Sequence, residues 1–171
     1  MTCSASPSMR LPNSMPCRPR PIVLAAVLAL LWIFAPSSAD AAPIHEAAAA
    51  GDLRAVYLEL KDGESVHARD AQDFTPLHHA AQHGRTLVVE FLLRLDASTE
   101  HASSTGYTPL MLAAVNDHEG VVRQLIEAGA DLDARHSSGG TALHMTAWAG
   151  RMSATRLLAD LGADIDAVDH D

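Results

Sequence analysis

Apolar residues are distributed along the chain in two different ways. One unbroken run, "IVLAAVLALLWIFA", occupies residues 22–35, and after residue 41 the pattern changes to short apolar blocks divided by polar, glycine-bearing breaks. In one block Val88, Val89, Leu92 and Leu93 recur at spacings that gather them on a single stripe of a helix. A shorter kind of block is "TPLHHAAQHG" (75–84), where a threonine suited to the N-cap precedes a proline suited to the first helical position. Gly84 ends that helix after roughly two turns. Gly150 takes the same place further on, and Asp117 takes it between them, aspartate being one of the few residues besides glycine that tolerate left-handed backbone. "EAGAD" (127–131) closes another striped helix at Gly129. The pattern therefore predicts pairs of short helices.

Those pairs recur. Lines of 33 residues beginning at Asp70, Ser103 and His136 align Thr75 with Thr108 and Thr141, Leu77 with Leu110 and Leu143, and Ala81 with Ala114 and Ala147. Leu92, Leu125 and Leu158 form a further column, as do Ala97, Ala130 and Ala163, and one more unit fits upstream from Pro43 with its beginning missing. A single helix pair cannot bury its apolar faces, so neighbours must stack. Alanines at 80, 81, 113, 114 and 147 allow the short helices to approach closely.

The recurring segments "TPLHHA" (75–80), "TPLMLA" (108–113), "TALHMT" (141–146) and "PIHEA" (43–47) resemble the signature of ankyrin repeats. The resemblance spans residues 43–168. It implies an all-α solenoid in which each unit has a β-turn and two antiparallel helices, with units at about 43–69, 70–102, 103–135 and 136–168 in a domain of residues 42–171. Glu59 stands where the other units have Leu92, Leu125 and Leu158, which marks the first unit as a cap with a solvated outer face. Ala154, Thr155 and Ala159 make the second helix of the fourth unit less apolar than its neighbours; a frayed last helix, or an end covered by another chain, is expected there.

The first 41 residues have the layout of a secretory signal peptide: Arg10, Arg18 and Arg20, then the apolar run, then a cleavage sequence at Ala39-Asp40-Ala41. A retained membrane anchor is the alternative, although the run falls short of the roughly 20 residues that a span needs. Met15 would give a more ordinary start. Cleavage after Ala41 would remove both cysteines, Cys3 and Cys17, so the remaining domain would have no disulfide or thiol chemistry. Their absence fits an oxidising compartment.

Composition narrows the function. The 171-residue chain is 48% hydrophobic but only 4% aromatic, so its core is aliphatic, and its net charge of −9 argues against nucleic-acid binding. No phosphate loop, nucleophile elbow or metal-ligand signature occurs, so no catalytic residue, cofactor or metal is expected. Ser137 and Ser138, beside His136, sit in a turn segment and are expected to shape its backbone. His79 and His83 have the spacing of the histidines in a zinc-protease H-E-x-x-H, but Ala80 replaces the glutamate that acts there as general base. A metal or small-ligand site on this pair is a rival to a solvated face or a partner contact. His45, His78 and His144 share a different column, whose histidine in the family bonds the backbone of a neighbouring turn; Met111 replaces it in the third unit.

The family binds partners through turn tips and the exposed ends of the first helices. Transferred by column, the turn tips hold Phe74, Tyr107 and Gly140, and the helix ends hold Gln82, Val115 and Trp148, then His83, Asn116 and Ala149. His79 belongs with Glu46, Leu112 and Met145 on the inner face. Phe74, Tyr107 and Trp148 are expected to anchor a protein partner, the alternative being that the first two cover the next turn and Trp148 fills the open end. The negative charge would favour a partner with a basic patch. The chain is thus expected to be an exported, periplasmic or secreted, protein-binding module that scaffolds, inhibits or protects its partner and has no membrane contact after cleavage. An effector acting on a host protein is a further alternative.

Overall fold

A computed structural model describes residues 43–165; the leader, with the signal-peptide and anchor readings placed on it, and the last six residues lie outside the described residues. Eight α-helices and no strand occur among them. They come in pairs: α1 (Pro43–Ala50) with α2 (Leu53–Lys61), α3 (Pro76–Gln82) with α4 (Thr86–Arg94), α5 (Pro109–Val115) with α6 (Glu119–Glu127), and α7 (Ala142–Trp148) with α8 (Met152–Asp160). Each first helix packs on its own second helix and on the first helix of the next unit, giving an all-α solenoid.

Local chemistry sets the ends of these helices. Thr75, Thr108 and Thr141 stand at the N-cap in extended backbone, and Pro76 and Pro109 supply a fixed φ at the first helical position. At the other end Gly84, Asp117 and Gly150 all have left-handed backbone, with φ of 66°, 62° and 69°. The expected place of Asp117 in this series is met. The chain then turns back so that the N–H groups of Arg85, His118 and Arg151 donate to Ala80, Ala113 and Thr146 at 2.8, 3.0 and 2.8 Å, which satisfies carbonyls that the helix end would leave unpaired. Gly84 has a second reason to be glycine: a Cβ there would lie 2.6 Å from Nδ1 of His118.

Between units, three tight turns lie in register. Asp73, Gly106 and Gly139 donate from their backbone to Asp70, Ser103 and His136, and those residues donate in turn to the carbonyls of Phe74, Tyr107 and Gly140. The residue opening each turn also accepts from its own loop through its side chain. Asp70 Oδ1 takes the N–H groups of Gln72 and Phe74 at 2.9 Å, Ser103 Oγ takes that of Tyr107 at 3.0 Å, and His136 Nδ1 takes that of Ser138 at 3.2 Å.

The core runs between the two rows of helices. Leu77, Ala80, Ala81, Leu92, Ala113, Ala114, Leu125 and Leu158 are fully shielded from solvent. Val56, Val89 and Val122 are equally buried, whereas Thr155 in the same column is only half-buried and Ala147 is exposed. Glu59, in the column of the buried leucines, is half-buried. The polar substitutions at Glu59 and Thr155 thus fall on the first and fourth described units, each of which stacks on one neighbour among the described residues.

Candidate functional site

The histidines sort into those that build the frame and those that border open surface. The N–H of Thr75 can only donate, and it lies 3.1 Å from Nδ1 of His78, so Nδ1 accepts and Nε2 carries the proton. That Nε2–H donates to the Tyr107 carbonyl of the next unit at 3.1 Å. One imidazole therefore caps α3 and ties unit two to unit three. His45 reaches across in the same way to the carbonyls of Ala68 and Phe74, at 3.1 and 3.0 Å. In the fourth unit His144 Nδ1 again serves the cap, with the N–H of Thr141 at 3.4 Å and its hydroxyl at 2.9 Å. Burial of the His78 ring pushes its pKa down to about 4; the neighbouring His101 and His79 add to this and the Tyr107 carbonyl opposes it.

A second tie between units gave no signal in the sequence, because its column mixes residue types. Arg85 Nε donates to the carbonyl of Ala49 at 2.8 Å, His118 Nε2 to that of Gln82 at 3.1 Å, and Arg151 Nε to that of Val115 at 3.0 Å. Each donor caps the carbonyl end of the first helix one unit back, which is also the negative end of that helix. The regularity lies in the acceptor, a backbone group present at every residue, and so it is invisible in the side chains.

The candidate metal pair is otherwise engaged. His79 Nε2 lies 2.8 Å from Asp70 Oδ2, and His83 Nδ1 lies 3.0 Å from the carbonyl of His79. Burial holds the His79 ring below its ordinary pKa despite the Asp70 partner. Burial alone would raise the Asp70 carboxyl, but its bonds from His79 and the N–H groups of Phe74 and Gln72 hold it below the usual carboxylate range. The pair is thus a neutral imidazole donating to a carboxylate. Among the described residues no group of three or more His, Cys, Asp or Glu is arranged to hold a metal ion. His136 and Ser138, 3.0 Å apart, make a serine–histidine contact that belongs to their turn, since the same Nδ1 accepts from the Ser138 backbone.

The open surface centres on units three and four. A cleft of about 490 Å³ is lined by Tyr107 and Val115 from the third unit and by His136, Ser138, Gly140, His144, Met145, Trp148 and Ala149 from the fourth. Its lining contains no Asp, Glu, Lys or Arg. Trp148, at the end of α7, is 91% exposed, so it does not fill the end of the stack. Tyr107 is half-buried with its ring centroid 4.4 Å from that of His136, so it covers the next turn and lines the cleft as well. The remaining sequence candidates lie elsewhere. Phe74 is half-buried among His78 and His79, at 5.4 and 5.7 Å; Gln82 is half-buried, and His83 and Asn116 are exposed. His79 is half-buried. Met145 and His136 border the cleft without having been singled out for it. The inner-face column that holds Met145 was legible in the repeat, and the ring contact to Tyr107 was not.

This architecture defines a class: a stack of helix pairs whose turns and inner helices present a continuous surface. The family model for ankyrin repeats (3 copies) matches residues 25–101, 44–136 and 95–169, and the chain belongs to the ankyrin-repeat family, whose members are protein–protein interaction modules. No curated protein matches the chain as a relative.

Proposed function

We propose that the chain is an exported module that binds a partner protein in the cleft spanning units three and four, with Trp148 and Tyr107 as anchors. The observation that carries the reading is the exposure of Trp148 beside a cleft with no Asp, Glu, Lys or Arg in its lining, in a chain where those four types make up 19% of residues. Leaving an indole in water gives up burial worth roughly 2 kcal/mol or more, and aromatic residues with methionine at a charge-poor centre are the composition of interface cores. The net charge of −9 favours a partner whose rim is basic. Export rests on the leader pattern at residues 1–41; in a Gram-negative source the compartment is the periplasm, where the module would scaffold, inhibit or protect an envelope protein. Action on a host protein after further export differs only in destination, and fractionation separates the two. The metal-binding alternative is weaker, because His79 and His83 already have partners within the fold.

The test is affinity capture with the tagged chain and with its Tyr107→Ala/Trp148→Ala variant. A partner retained by the wild type and lost by the variant, at unchanged helix content, supports the reading. Equal recovery by both removes it.

A further inference from the structure

Four histidines and a phenylalanine form a continuous row of rings through units one and two. His45 stands edge-on to His79 at 5.3 Å, His79 edge-on to Phe74 at 5.7 Å, Phe74 tilted on His78 at 5.4 Å, and His78 edge-on to His101 at 5.9 Å. The row draws on α1, on α3 and on both ends of unit two, so it crosses the first junction, and the bond from His78 to the Tyr107 carbonyl carries it to unit three. His45 and His78 are fully buried, and Nε2 of His101 is buried without a hydrogen-bond partner.

We infer that this row is a proton-sensitive coupling between units one, two and three, which holds the turns in register while His78 and His79 are neutral and loosens them when those two take up protons. Two features of the geometry give the row that property. His78 uses Nδ1 as an acceptor for the Thr75 N–H, and a proton on Nδ1 would set two donors against each other and undo the cap of α3. Charge compensation is also scarce. Asp70, on His79, is the carboxylate within salt-bridge distance of the row among the described residues; Asp73 pairs with Arg69 at 3.9 Å, Glu46 beside His45 is exposed, and His83 on α3 would add a further positive charge. Cations on adjacent rings would therefore repel with one anion between them. At the junction of units three and four Met111 occupies the histidine column and is fully buried, so the His136 ring against Tyr107 stands alone there and is not part of a row. The row also holds the Tyr107 carbonyl, so acid would disturb the placement of a residue that lines the cleft. That last consequence rests on the binding reading above, while the loosening does not.

The experiment is a pH series on the full chain that combines thermal melting with backbone amide spectra by nuclear magnetic resonance. From pH 7.5 to 5.0 the Tm is expected to fall by roughly 5 °C. Broadening should begin in residues 45–107, ahead of α6 and α8. His101→Phe, which keeps a ring without a proton site, should reduce the fall, whereas His67→Phe, at an exposed position outside the row, should leave it unchanged. Broadening that begins in α7 and α8, or spreads evenly, would overturn the inference, as would a fall that His101→Phe leaves intact. If His101→Phe fails to fold at pH 7.5, the location of broadening in the unaltered chain decides the matter by itself.

Discussion

The two junctions that flank unit three differ in the histidine column. Between units two and three, His78 sends its Nε2–H to the Tyr107 carbonyl, while between units three and four Met111 fills the same place, fully buried and without a polar tie. Both junctions keep the other bond, from His118 to Gln82 or from Arg151 to Val115. The stack thus needs a donor at the helix end of each junction and accepts either a polar or an apolar filling at the turn side. The choice has consequences. A histidine there makes the junction depend on protonation, and the cleft opens across the junction that has methionine instead, where Tyr107, Val115, Met145 and Trp148 meet.

The largest expected effect comes from breaking the polar junction. His78→Ala removes the cap of α3, the bond to Tyr107 and a fully buried ring, and should cost about 3–4 kcal/mol in urea unfolding. Protonation attacks the same residue without mutation. Because its pKa is held down to about 4 from an ordinary 6.5, the unfolded chain binds the proton first, so stability is full above about pH 6.5 and is lost as pH falls toward 4. The loss from this one ring approaches roughly 3 kcal/mol by pH 4, and unfolding curves at several pH values would measure it.

A smaller effect is expected at the helix-end tie. Gly84→Ala puts a Cβ on backbone of φ 66° and 2.6 Å from His118, against the ring that donates to Gln82, and should cost about 2 kcal/mol by urea titration. The subtlest change sharpens the comparison directly. Met111→His should alter stability by no more than about 1 kcal/mol at pH 7.5, since a new bond offsets the lost apolar packing, yet it should steepen the loss of stability in acid. An unchanged acid limb would mean that the histidine column is not what confers the pH dependence.

Much of this frame was legible in the sequence because repetition exposes columns, and a column shows which positions the fold constrains. Helix ends at Gly84 and Asp117, the caps at Thr75 and Thr141, and the framework role of His78 all follow from residue chemistry repeated at a fixed period. The series from Arg85 through His118 to Arg151 stayed hidden because its acceptors are backbone carbonyls and its donors differ in kind. The cleft was partly legible. Tyr107, Val115 and Trp148 come from the turn-tip and helix-end columns, but those columns do not say where the stack leaves space. Phe74 occupies the same column as Tyr107 and has its ring against His78 and His79 instead of lining the cleft. That difference goes with the residues four and five positions on, His78 and His79 in unit two but Met111 and Leu112 in unit three, so the column of Phe74 and Tyr107 does not record it by itself.

The most direct test of the binding surface is site-specific photo-crosslinking. A photoreactive side chain is placed at Met145 in the cleft or at exposed Arg123 on the outer helix α6, and the chain is irradiated in cells of its source. The expected result is a discrete adduct from position 145, suppressed by Trp148→Ala, and none from position 123. An adduct from position 123 alone, or one from position 145 that is indifferent to Trp148→Ala, would contradict the assignment of the cleft as the partner site.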